Sequence, residues 1–534
     1  MSDTIETRDI VIIGAGFSGL YAVKRLRDDY DIVCFEAGDG VGGTWYWNRY
    51  PGARVDIQSV EYSYSFDEDL QQDWSWPEYF SAQPDLERYA NHVADRHDLR
   101  DHIRFGRSVT KLTFDEASDR WQVETDAGDK VVCRYVVAAN GMLYKPNFPD
   151  WPGRDAYAGE LFHTTRWPKG PLDLSQKRVG IIGTGSTAIQ AAPILAERAS
   201  HLTVFQRTPA YSMPSGNRPM DEEFESDWKE NYAQRRDAIM DTWGVSMIEY
   251  GEKSALECSP EEREAILEAA WNSRSAFQMM VAFRDVMTDP QANEIVSEFV
   301  RGKIRETVDD PQTAELLCPK TYPLGSKRLC IDNGYYEMYN RDNVSLVDVR
   351  SDPIVQFTER GLKLESGSEH ELDVIVVATG FDAITGSMAQ IDIRGVDGLS
   401  LKDKWADGPT TYFGQMIAGF PNLFMIHGPL SPGALAQMIA TGEWQVDHVA
   451  RIIDELEASA FDRIDTTEEA ERGWAEEVDT MASYSVYSQG DSWYNGANID
   501  GKKTGFMVYV GGFPRYRQLS EEAVANGYEG YERR

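Results

Sequence analysis

Two glycine-rich segments of this chain have the residue types and spacing that bind the phosphates of a dinucleotide. The first is GAGFSG, from Gly14 to Gly19, and the second is GTGSTA, from Gly183 to Ala188. Each follows a short run of mostly β-branched apolar residues, which is typical of a buried parallel strand. Two such loops predict two dinucleotides in one chain, an arrangement that suits hydride transfer from one to the other.

The first loop is accompanied by the other parts of a dinucleotide-binding unit. Its glycines Gly14, Gly16 and Gly19 make the tight turn, admit the pyrophosphate and let the following helix pack on the strand, in that order. After the predicted helix, a second strand, Ile32–Phe35, ends at Glu36. An acidic residue at the end of this strand binds ribose hydroxyls, so we predict that Glu36 has this role.

The second loop has the same pattern with a different ending. Gly183, Gly185 and Ala188 fill the fingerprint, in which alanine is an accepted third residue. The strand that follows ends before Arg207 and Thr208 and carries no acidic residue there. Because a guanidinium binds phosphate in a planar fork, this ending favours the 2′-phosphate of NADPH over NADH. The alternative is that Arg207 is an ordinary surface charge and that the cofactor specificity is mixed.

A third pattern lies between the two loops. Tyr157, Gly159, His163 and Trp167 are separated by two, four and four positions, and Pro168 follows. Taken alone, such a set is a packed linker. Its position directly before the second dinucleotide strand makes a functional signature the better interpretation.

Composition excludes several classes of function. The chain has 534 residues, 42% of them hydrophobic, and a formal net charge of −35. This charge argues against nucleic acid or an anionic membrane as a partner, although it leaves open whether the surface reflects a high-salt habitat. The apolar runs have the length of strands, and the N-terminal residues are polar, so we expect a cytoplasmic protein without a membrane span. Five cysteines without a C-x-x-C pair predict no disulfide framework and no metal site.

The middle pattern closely resembles the fingerprint of the type I Baeyer–Villiger monooxygenases, F-x-G-x-x-x-H-x-x-x-W followed by Pro or Asp. Tyr157 stands where phenylalanine is usual, which keeps the aromatic ring. The resemblance extends over most of the chain and is strongest to the branch with phenylacetone and cyclohexanone monooxygenases. It includes GGTWYWNRYPGARVDIQSVEYSYSF (42–66), YPLGSKR (322–328), YYEMYNRDNV (335–344), GFPNLFMIHGPLSP (419–432) and SWYNGANIDGK (492–502).

The resemblance implies an enzyme that binds FAD, uses NADPH and O₂, and converts ketones into esters or lactones through a flavin peroxide. The implied fold class is α/β, with two Rossmann-like dinucleotide-binding domains, for FAD and NADPH, and a helical insertion in the NADPH domain. We expect an FAD domain at 1–140 and 373–534, an NADPH domain at 141–210 and 323–372, and the insertion at 211–322. The strand in DVIVVATGFD (373–382) and its weaker copy YVVAANG (135–141) are interpreted as returning the chain to the first domain.

The family's functional residues are transferred by motif. Arg328 resembles the catalytic arginine, and Asp56 resembles the aspartate that pairs with it. Lys327 resembles the lysine that helps to bind the NADPH phosphate, and His163 resembles the fingerprint histidine, which couples movement of the NADPH domain to catalysis without touching substrate. The resemblance assigns further cofactor contacts to Ser18, Thr44, Trp45, Tyr46, Trp47, Tyr62, Val109, Thr184, Ser186, Thr187, Met438 and Trp493.

The implied chemistry explains why these residue types are present. A fixed positive charge stabilises negative charge on the peroxide and on the ketone oxygen, and arginine keeps its proton in this pH range. A bare guanidinium in a dry site is costly, so a paired carboxylate is expected. The substrate pocket is expected near Gly433, Ala434, Leu435 and Met438, with the segment 243–253 at its entrance, and bulky cyclic or aromatic ketones are the expected substrates.

Three alternatives remain from the sequence. A flavin N- or S-monooxygenase shares both loops and a related signature. A flavin oxidoreductase of the disulfide-reductase kind lacks its C-x-x-C pair here, and a catalytically inactive NADPH-binding protein is disfavoured by the intact Asp56 and Arg328. We expect a ketone and O₂ as the small-molecule partners, and a monomer or a weak homo-oligomer.

Overall fold

The computed structural model of the protein describes residues 5–273 and 275–534. Residues 1–4, at the start of the predicted FAD domain, and Arg274, within the predicted insertion, lie outside the described residues. The strands are β1 (Glu6–Ile13), β2 (Ile32–Glu36), β3 (Ile103–Phe105), β4 (Val109–Asp115), β5 (Arg120–Thr125), β6 (Lys130–Ala138), β7 (Glu160–His163), β8 (Arg178–Ile182), β9 (His201–Gln206), β10 (Ser212–Pro214), β11 (Cys330–Asp332), β12 (Val344–Asp348), β13 (Ile354–Thr358), β14 (Gly361–Leu364), β15 (Glu369–Glu371), β16 (Val374–Val377), β17 (Asp392–Arg394), β18 (Leu423–Met425), β19 (Ile464–Thr466) and β20 (Tyr531–Arg533).

The α-helices follow the same chain order. They are α1 (Phe17–Leu26), α2 (Thr44–Trp47), α3 (Glu68–Asp73), α4 (Gln83–Arg96), α5 (Ser186–Arg198), α6 (Glu222–Glu230), α7 (Tyr232–Met240), α8 (Pro260–Asn272), α9 (Pro290–Thr307), α10 (Pro311–Leu317), α11 (Leu401–Lys404), α12 (Met438–Glu457), α13 (Glu468–Ser483) and α14 (Phe513–Ala525).

The first glycine-rich loop lies at the carboxyl end of the central strand of an eight-stranded sheet. The strand order is β17-β4-β5-β6-β1-β2-β3, and β18 also pairs with β6. Strand β1 is parallel to both of its neighbours, with Ile12 opposite Cys34 on one side and Val137 on the other. The apolar run of β1 is buried because helices cover the sheet, and α1 makes the crossover from β1 to β2.

The second loop occupies the same position in a second, fully parallel sheet. Its order is β12-β9-β8-β16-β7, and α5 connects β8 to β9. Ile182, the last residue of β8, lies opposite Phe205 of β9, so Arg207 follows directly at the carboxyl edge of this sheet. Ligands of open parallel sheets bind at this edge, and both loops therefore lie where a dinucleotide binds.

One expectation about chain order is wrong. The strand within DVIVVATGFD was expected in the first dinucleotide domain, but β16 pairs with β8 and β7 of the second sheet. The chain rejoins the first sheet only later, at β17 and β18, which pair with β4 and β6. The boundary expected at residue 373 thus precedes the last strand of the second sheet. The strand in the weaker copy, YVVAANG, does pair with β1 of the first sheet, as part of β6.

The polar stretch between β10 and β11 contains helices α6 to α10. Local signals explain their starts: Ser259 and Glu262 form a reciprocal capping box before α8, and the Asp289 side chain caps α9 directly before Pro290. The predicted helical segments 221–240 and 260–271 correspond to α6 with α7 and to α8. The limits 211–322 for a separate insertion remain a prediction.

Over the described part of the chain, none of the helices has the length and apolar character needed to cross a membrane. The cytoplasmic location expected from the sequence remains a prediction.

Candidate active site

Both glycine-rich loops and the Arg328 side chain open onto one cavity of about 1500 Å³. At the first loop, Gly14 has a φ of +96°, and a Cβ there would lie 2.8 Å from the Ala139 carbonyl oxygen. A Cβ on Gly19 would overlap the Gly14 carbonyl, so the helix packs on its strand as the sequence predicts. Gly16 faces the backbone of Gly43, and together they leave a narrow, side-chain-free cradle for a phosphate.

Glu36 lies at the end of β2, where the sequence predicts it. Its carboxylate accepts the backbone N–H groups of Ala15 and Gly38, each at 2.7 Å. Burial raises the pKa of Glu36, and these two backbone donors act in the opposite direction. The side chain is therefore fixed at the cavity wall by the loop that it would serve in ribose binding.

Positively charged side chains lie near the second loop. Gly183 has a φ of +114°, and a Cβ there would overlap the Ala378 carbonyl. Arg207 and Lys327 both line the cavity beyond this loop, and the Lys327 ammonium lies 4.5 Å from the centre of the Tyr322 ring. Burial lowers the pKa of Lys327, and the charges of Arg207 and Arg350 lower it further. This cluster of cations suits a dianionic phosphate.

Arg328 and Asp56 meet as a planar ion pair between the two loops. Nε and Nη2 of Arg328 donate to the Asp56 carboxylate at 2.6 and 2.8 Å. The remaining Nη1 donates to the Ala434 carbonyl oxygen at 2.5 Å, and the guanidinium carbon lies 5.1 Å from the centre of the Phe277 ring. Burial acts to lower the pKa of Arg328, but the Asp56 charge outweighs it and raises this pKa above its usual range. Arg328 therefore stays charged.

The fingerprint residues do not line the cavity. Tyr157 donates its hydroxyl to the Leu372 carbonyl oxygen at 3.0 Å, and the Trp167 ring packs against Phe162. Pro168 lies with Trp167 at a separate, smaller depression. Gly159 is required by close packing, because a Cβ there would meet the Asp373 carbonyl at 2.7 Å.

His163 is buried and contacts a residue of the cavity wall, Asn147. Its Nε2 lies 3.3 Å from the carbonyl oxygen of Asn147, a cavity-lining residue, and its Nδ1 accepts the Thr165 backbone N–H at 3.2 Å. Burial lowers the pKa of His163 to about 4. The imidazole is thus neutral, and it links the fingerprint to the wall of the site.

Most predicted cofactor residues are brought together at this cavity. Those that line it are Gly14, Gly16, Ser18, Glu36, Thr44, Trp45, Trp47, Asp56, Tyr62, Val109, Gly183, Thr184, Gly185, Ser186, Thr187, Arg207, Thr208, Lys327, Arg328, Met438 and Trp493.

Three predicted cofactor residues, Gly19, Ala188 and Tyr46, do not line this cavity, and their cofactor contacts remain a prediction. Gly19 and Ala188 lie inside α1 and α5, where their small size serves helix packing. The Tyr46 hydroxyl donates a hydrogen bond to the Asp39 carboxylate, outside the cavity lining. In the predicted pocket loop, Ala434 and Leu435 line the cavity, whereas Gly433 does not.

Sequence reasoning missed several cavity residues. Phe277, Tyr494, Asn140 and His427 line the cavity. The last three lie within segments that carry the family resemblance or the return strand, but none of the four was singled out as a site residue. Two of them have an unpaired polar atom that a ligand could satisfy. Nδ2 of Asn140 and Nδ1 of His427 are buried and have no hydrogen-bond partner in the protein. Buried polar atoms are nearly always satisfied, so bound groups with complementary donors and acceptors are expected here. Together with the glycine cradles and Glu36, these residues fit an FAD and a nicotinamide dinucleotide.

Comparison with known proteins assigns the family. Residues 7–228 match the flavin-binding monooxygenase-like family. A Baeyer–Villiger monooxygenase from Pseudooceanicola batsensis is 42% identical, with 97% of this chain and 95% of that protein covered. The chain belongs to the Baeyer–Villiger monooxygenases.

Solved structures of this family agree with the whole architecture. The closed crystal structure of cyclohexanone monooxygenase superposes with a TM-score of 0.97 at 43% identity, over 99% of this chain and 100% of that one. An oxidised steroid monooxygenase bound to NADP superposes with a TM-score of 0.93 at 46% identity, over 99% of both chains. The predicted α/β fold class with two dinucleotide-binding domains, the flavin cofactor and the monooxygenase class are confirmed.

Proposed function

We propose that this protein is an FAD- and NADPH-dependent Baeyer–Villiger monooxygenase that inserts one oxygen atom of O₂ beside the carbonyl carbon of a ketone. The observation that carries the proposal is the position of Arg328. Its guanidinium, held by Asp56, lies in the same cavity as both dinucleotide loops. One cavity can therefore hold a reduced cofactor, its hydride source and a fixed positive charge.

FAD binds along the first sheet. Gly14 and Gly16, at the start of α1, would hold its pyrophosphate, because backbone N–H groups and the helix dipole favour an anion there. Glu36 accepts a ribose hydroxyl, since each of its carboxylate oxygens uses one lone pair on a backbone N–H and retains another. The Trp45 indole donates to the Tyr62 hydroxyl at 3.0 Å, which holds these two aromatic side chains together at the cavity wall.

NADPH binds along the second sheet. Gly183 and Gly185 admit its pyrophosphate, and Arg207, Thr208 and Lys327 bind its 2′-phosphate. Burial is the main cause of the lowered pKa of Lys327, and repulsion by Arg207 adds to it, which is the contribution that a bound phosphate would offset. A dianionic group between Lys327 and Arg207 removes that repulsion and forms charge-assisted hydrogen bonds.

When bound and reduced, FAD supplies the activated oxygen for insertion. Arg328 donates hydrogen bonds to the ketone oxygen as negative charge develops there, an effect typically worth about 3–4 kcal/mol per donor. Asp56 aims the guanidinium by accepting from Nε and Nη2. The Ala434 carbonyl fixes Nη1, so the fork has a single orientation before substrate arrives.

Aromatic side chains lie beside Arg328 and would help to exclude water once cofactors and substrate fill the cavity. Phe277 lies under the guanidinium, and Trp493 packs on Tyr494 with ring centres 4.4 Å apart. A dry site strengthens the Arg328 interactions and protects the activated oxygen from loss as hydrogen peroxide. Leu435 and Met438 add an apolar wall, which favours cyclic or aromatic ketones over small polar ones.

The partners are therefore small molecules, a ketone and O₂. A net charge of −35 opposes binding of nucleic acid, and the predicted monomer or weak homo-oligomer remains part of the proposal.

Purified protein is tested with linear, cyclic, aryl and steroid ketones, and in parallel with an amine and a sulfide. We measure NADPH consumption and identify products by mass spectrometry. The proposal predicts ketone-dependent NADPH oxidation that yields an ester or lactone with one oxygen atom from ¹⁸O₂. An enzyme that oxygenates only the amine or the sulfide would instead be an N- or S-monooxygenase.

A further inference from the structure

Glu61 is a buried carboxylate five residues after Asp56 on the same loop. It is 1% exposed. Its Oε2 accepts the Ser246 hydroxyl at 2.6 Å, and its two oxygens lie 3.3 and 3.4 Å from the Met247 backbone nitrogen. The nearest cation, Arg236, donates to the Glu61 carbonyl oxygen at 2.7 Å and not to the carboxylate. A buried acidic side chain without a directly bonded counter-ion lowers the stability of the fold. A functional role would explain why Glu61 occupies this position.

The segment that Glu61 holds is strained. Val245 has a φ of +54°, which is a genuine outlier for a β-branched residue. The Thr242 hydroxyl oxygen accepts the Ser246 backbone N–H at 3.0 Å, and the Gly244 carbonyl accepts the Gln437 backbone N–H at 2.9 Å. Such a backbone persists only where its surroundings over-determine it, and strain of this kind clusters at functional sites.

This segment forms a wall of the candidate active site. Trp243, Gly244, Ser246 and Ile248 line the cavity that contains Arg328. The Trp243 indole donates to the Val510 carbonyl at 3.0 Å, and the carbonyl of Trp243 accepts the Phe513 backbone N–H at 3.0 Å. These bonds fix Trp243 at the start of the wall, and Glu61 fixes Ser246 and Met247 near its end.

Glu61 also connects this wall to the two groups that orient Arg328. Its loop carries Asp56, and its carbonyl oxygen accepts the Gln437 side-chain amide. Gln437 follows three residues after Ala434, whose carbonyl binds Arg328 Nη1. Glu61 and Gln437 are both buried, so a displacement at either one is transmitted to the pocket and not absorbed by solvent.

We propose that Glu61 is a positioning residue that sets the Trp243–Ile248 wall relative to Arg328 and thereby determines how a ketone is held. The inference rests on the proposed function. Glu61 does not line the cavity and is not expected to touch substrate. It acts through Ser246 and the strained turn, and a misplacement of about 1 Å at such a wall costs up to about a hundredfold in rate.

The test compares Glu61→Ala and Glu61→Gln with a matched control, Glu443→Ala. Glu443 is also buried, at 5% exposure, and accepts the backbone N–H and hydroxyl of Ser65 at 2.8 and 2.9 Å, but it does not line the cavity. We measure KM and kcat for a ketone, ester formed per NADPH oxidised, flavin reduction by NADPH in a stopped-flow instrument, and the thermal midpoint. Calorimetry of ketone binding to the NADP⁺-loaded oxidised protein adds an equilibrium value.

Glu61→Ala should raise KM and the calorimetric Kd for the ketone about tenfold and lower the ester yield per NADPH, while flavin reduction stays within about twofold. Glu61→Gln should recover most of the ketone affinity, because its amide can accept from Met247 and donate to Ser246. Glu443→Ala should lower the thermal midpoint and leave ketone KM and ester yield unchanged.

The inference is overturned if Glu61→Ala keeps the wild-type KM and ester yield, or if Glu443→Ala changes both in the same way. If Glu61→Ala does not fold, Ser246→Ala decides, because it removes the hydroxyl that Glu61 accepts and keeps the Cβ of this cavity-lining residue. We expect this variant to raise the ketone KM about threefold, and an unchanged KM overturns the inference. Wild-type protein that oxygenates no ketone would instead remove the proposed function itself.

Discussion

The carbonyl oxygen of Asn147 lies 3.3 Å from Nε2 of His163 and also accepts the Thr379 hydroxyl. Because the Thr165 backbone N–H donates to Nδ1, the ring proton resides on Nε2 and points to Asn147. The Asn147 side chain in turn donates to the Asn498 carbonyl oxygen at 3.2 Å. These contacts connect the fingerprint histidine to the cavity through the linker that carries Asn147, and we predict that any effect of His163 on the reaction passes through this linker.

His163→Ala should slow flavin reduction by NADPH about tenfold and leave the FAD content unchanged, because the side chain supports a linker and not the flavin itself. His163→Gln should restore part of the rate, since its amide can donate to Asn147. With a pKa of about 4, His163 should produce no inflection in the rate between pH 5 and pH 9. Stopped-flow absorbance of the flavin measures both effects, and a wild-type rate in His163→Ala would contradict this role.

Arg328→Ala should retain FAD and its reduction by NADPH but lose ester or lactone formation, by at least about a hundredfold. The reason is that the guanidinium is needed only when negative charge develops on the ketone oxygen. Asp56→Ala should act in the same direction, because two hydrogen bonds that aim Arg328 are removed. Product analysis beside anaerobic flavin reduction separates the two half-reactions, and near wild-type product formation by Arg328→Ala would refute the mechanism.

Arg207→Ala should reduce the preference for NADPH over NADH mainly through KM, by about tenfold to a hundredfold, the range for a lost charge-assisted contact. Arg472→Ala is a suitable control, because Arg472 is exposed on α13 and does not line the cavity. Steady-state kinetics with both nucleotides measures the ratio. An unchanged ratio in Arg207→Ala would mean that other groups recognise the 2′-phosphate.

Gly185→Ala should separate nucleotide binding from folding. A Cβ at Gly185 meets no protein atom within 4 Å, and its φ of −80° suits any residue, so the fold and the FAD content should be unchanged. The added methyl group would occupy the space of the NADPH pyrophosphate, and KM for NADPH should rise about tenfold. Gly183→Ala, where a Cβ would overlap the Ala378 carbonyl, should instead reduce the yield of folded protein. Equal kinetics for wild type and Gly185→Ala would contradict the placement of the pyrophosphate.

The sequence alone predicts the parts of the fold and of the candidate site that depend on short-range patterns. The strand–glycine–helix units, Glu36 at the end of β2 and Arg207 beyond β9 all follow from local spacing. The Arg328–Asp56 pair joins residues 272 positions apart, and only the family resemblance indicated it. The partner of β16 could not be predicted, because an all-apolar strand suits the parallel part of either sheet and its pairing is a long-range property. The left-handed Val245 likewise could not be predicted from its residue type, since Glu61 and Gln437, which bond the residues beside it, lie far away in the sequence.

The pH dependence of stability offers a test of the burial of Glu61 that does not involve catalysis. Burial raises the pKa of Glu61 to about 7, against the opposing effects of the Ser246 and Met247 hydrogen bonds and the Arg236 charge. In the unfolded chain the pKa is near the usual 4.5. The folded state therefore binds more protons between pH 4.5 and 7, and this group's contribution to the free energy of unfolding falls as the pH rises through that window.

Glu61→Gln removes this titration. The wild type loses stability between pH 4.5 and about pH 7, and the variant does not. The difference in free energy of unfolding, variant minus wild type, should therefore be lowest near pH 4.5 and should increase by on the order of 3 kcal/mol up to about pH 7. Thermal midpoints of both proteins, measured in half-unit steps from pH 4.5 to pH 8, report the trend. Glu443→Gln should behave in the same way, because burial also raises the pKa of Glu443 to about 7. A difference between Glu61→Gln and wild type that stays constant across this range would show that Glu61 is already ionised at pH 5 in the folded protein.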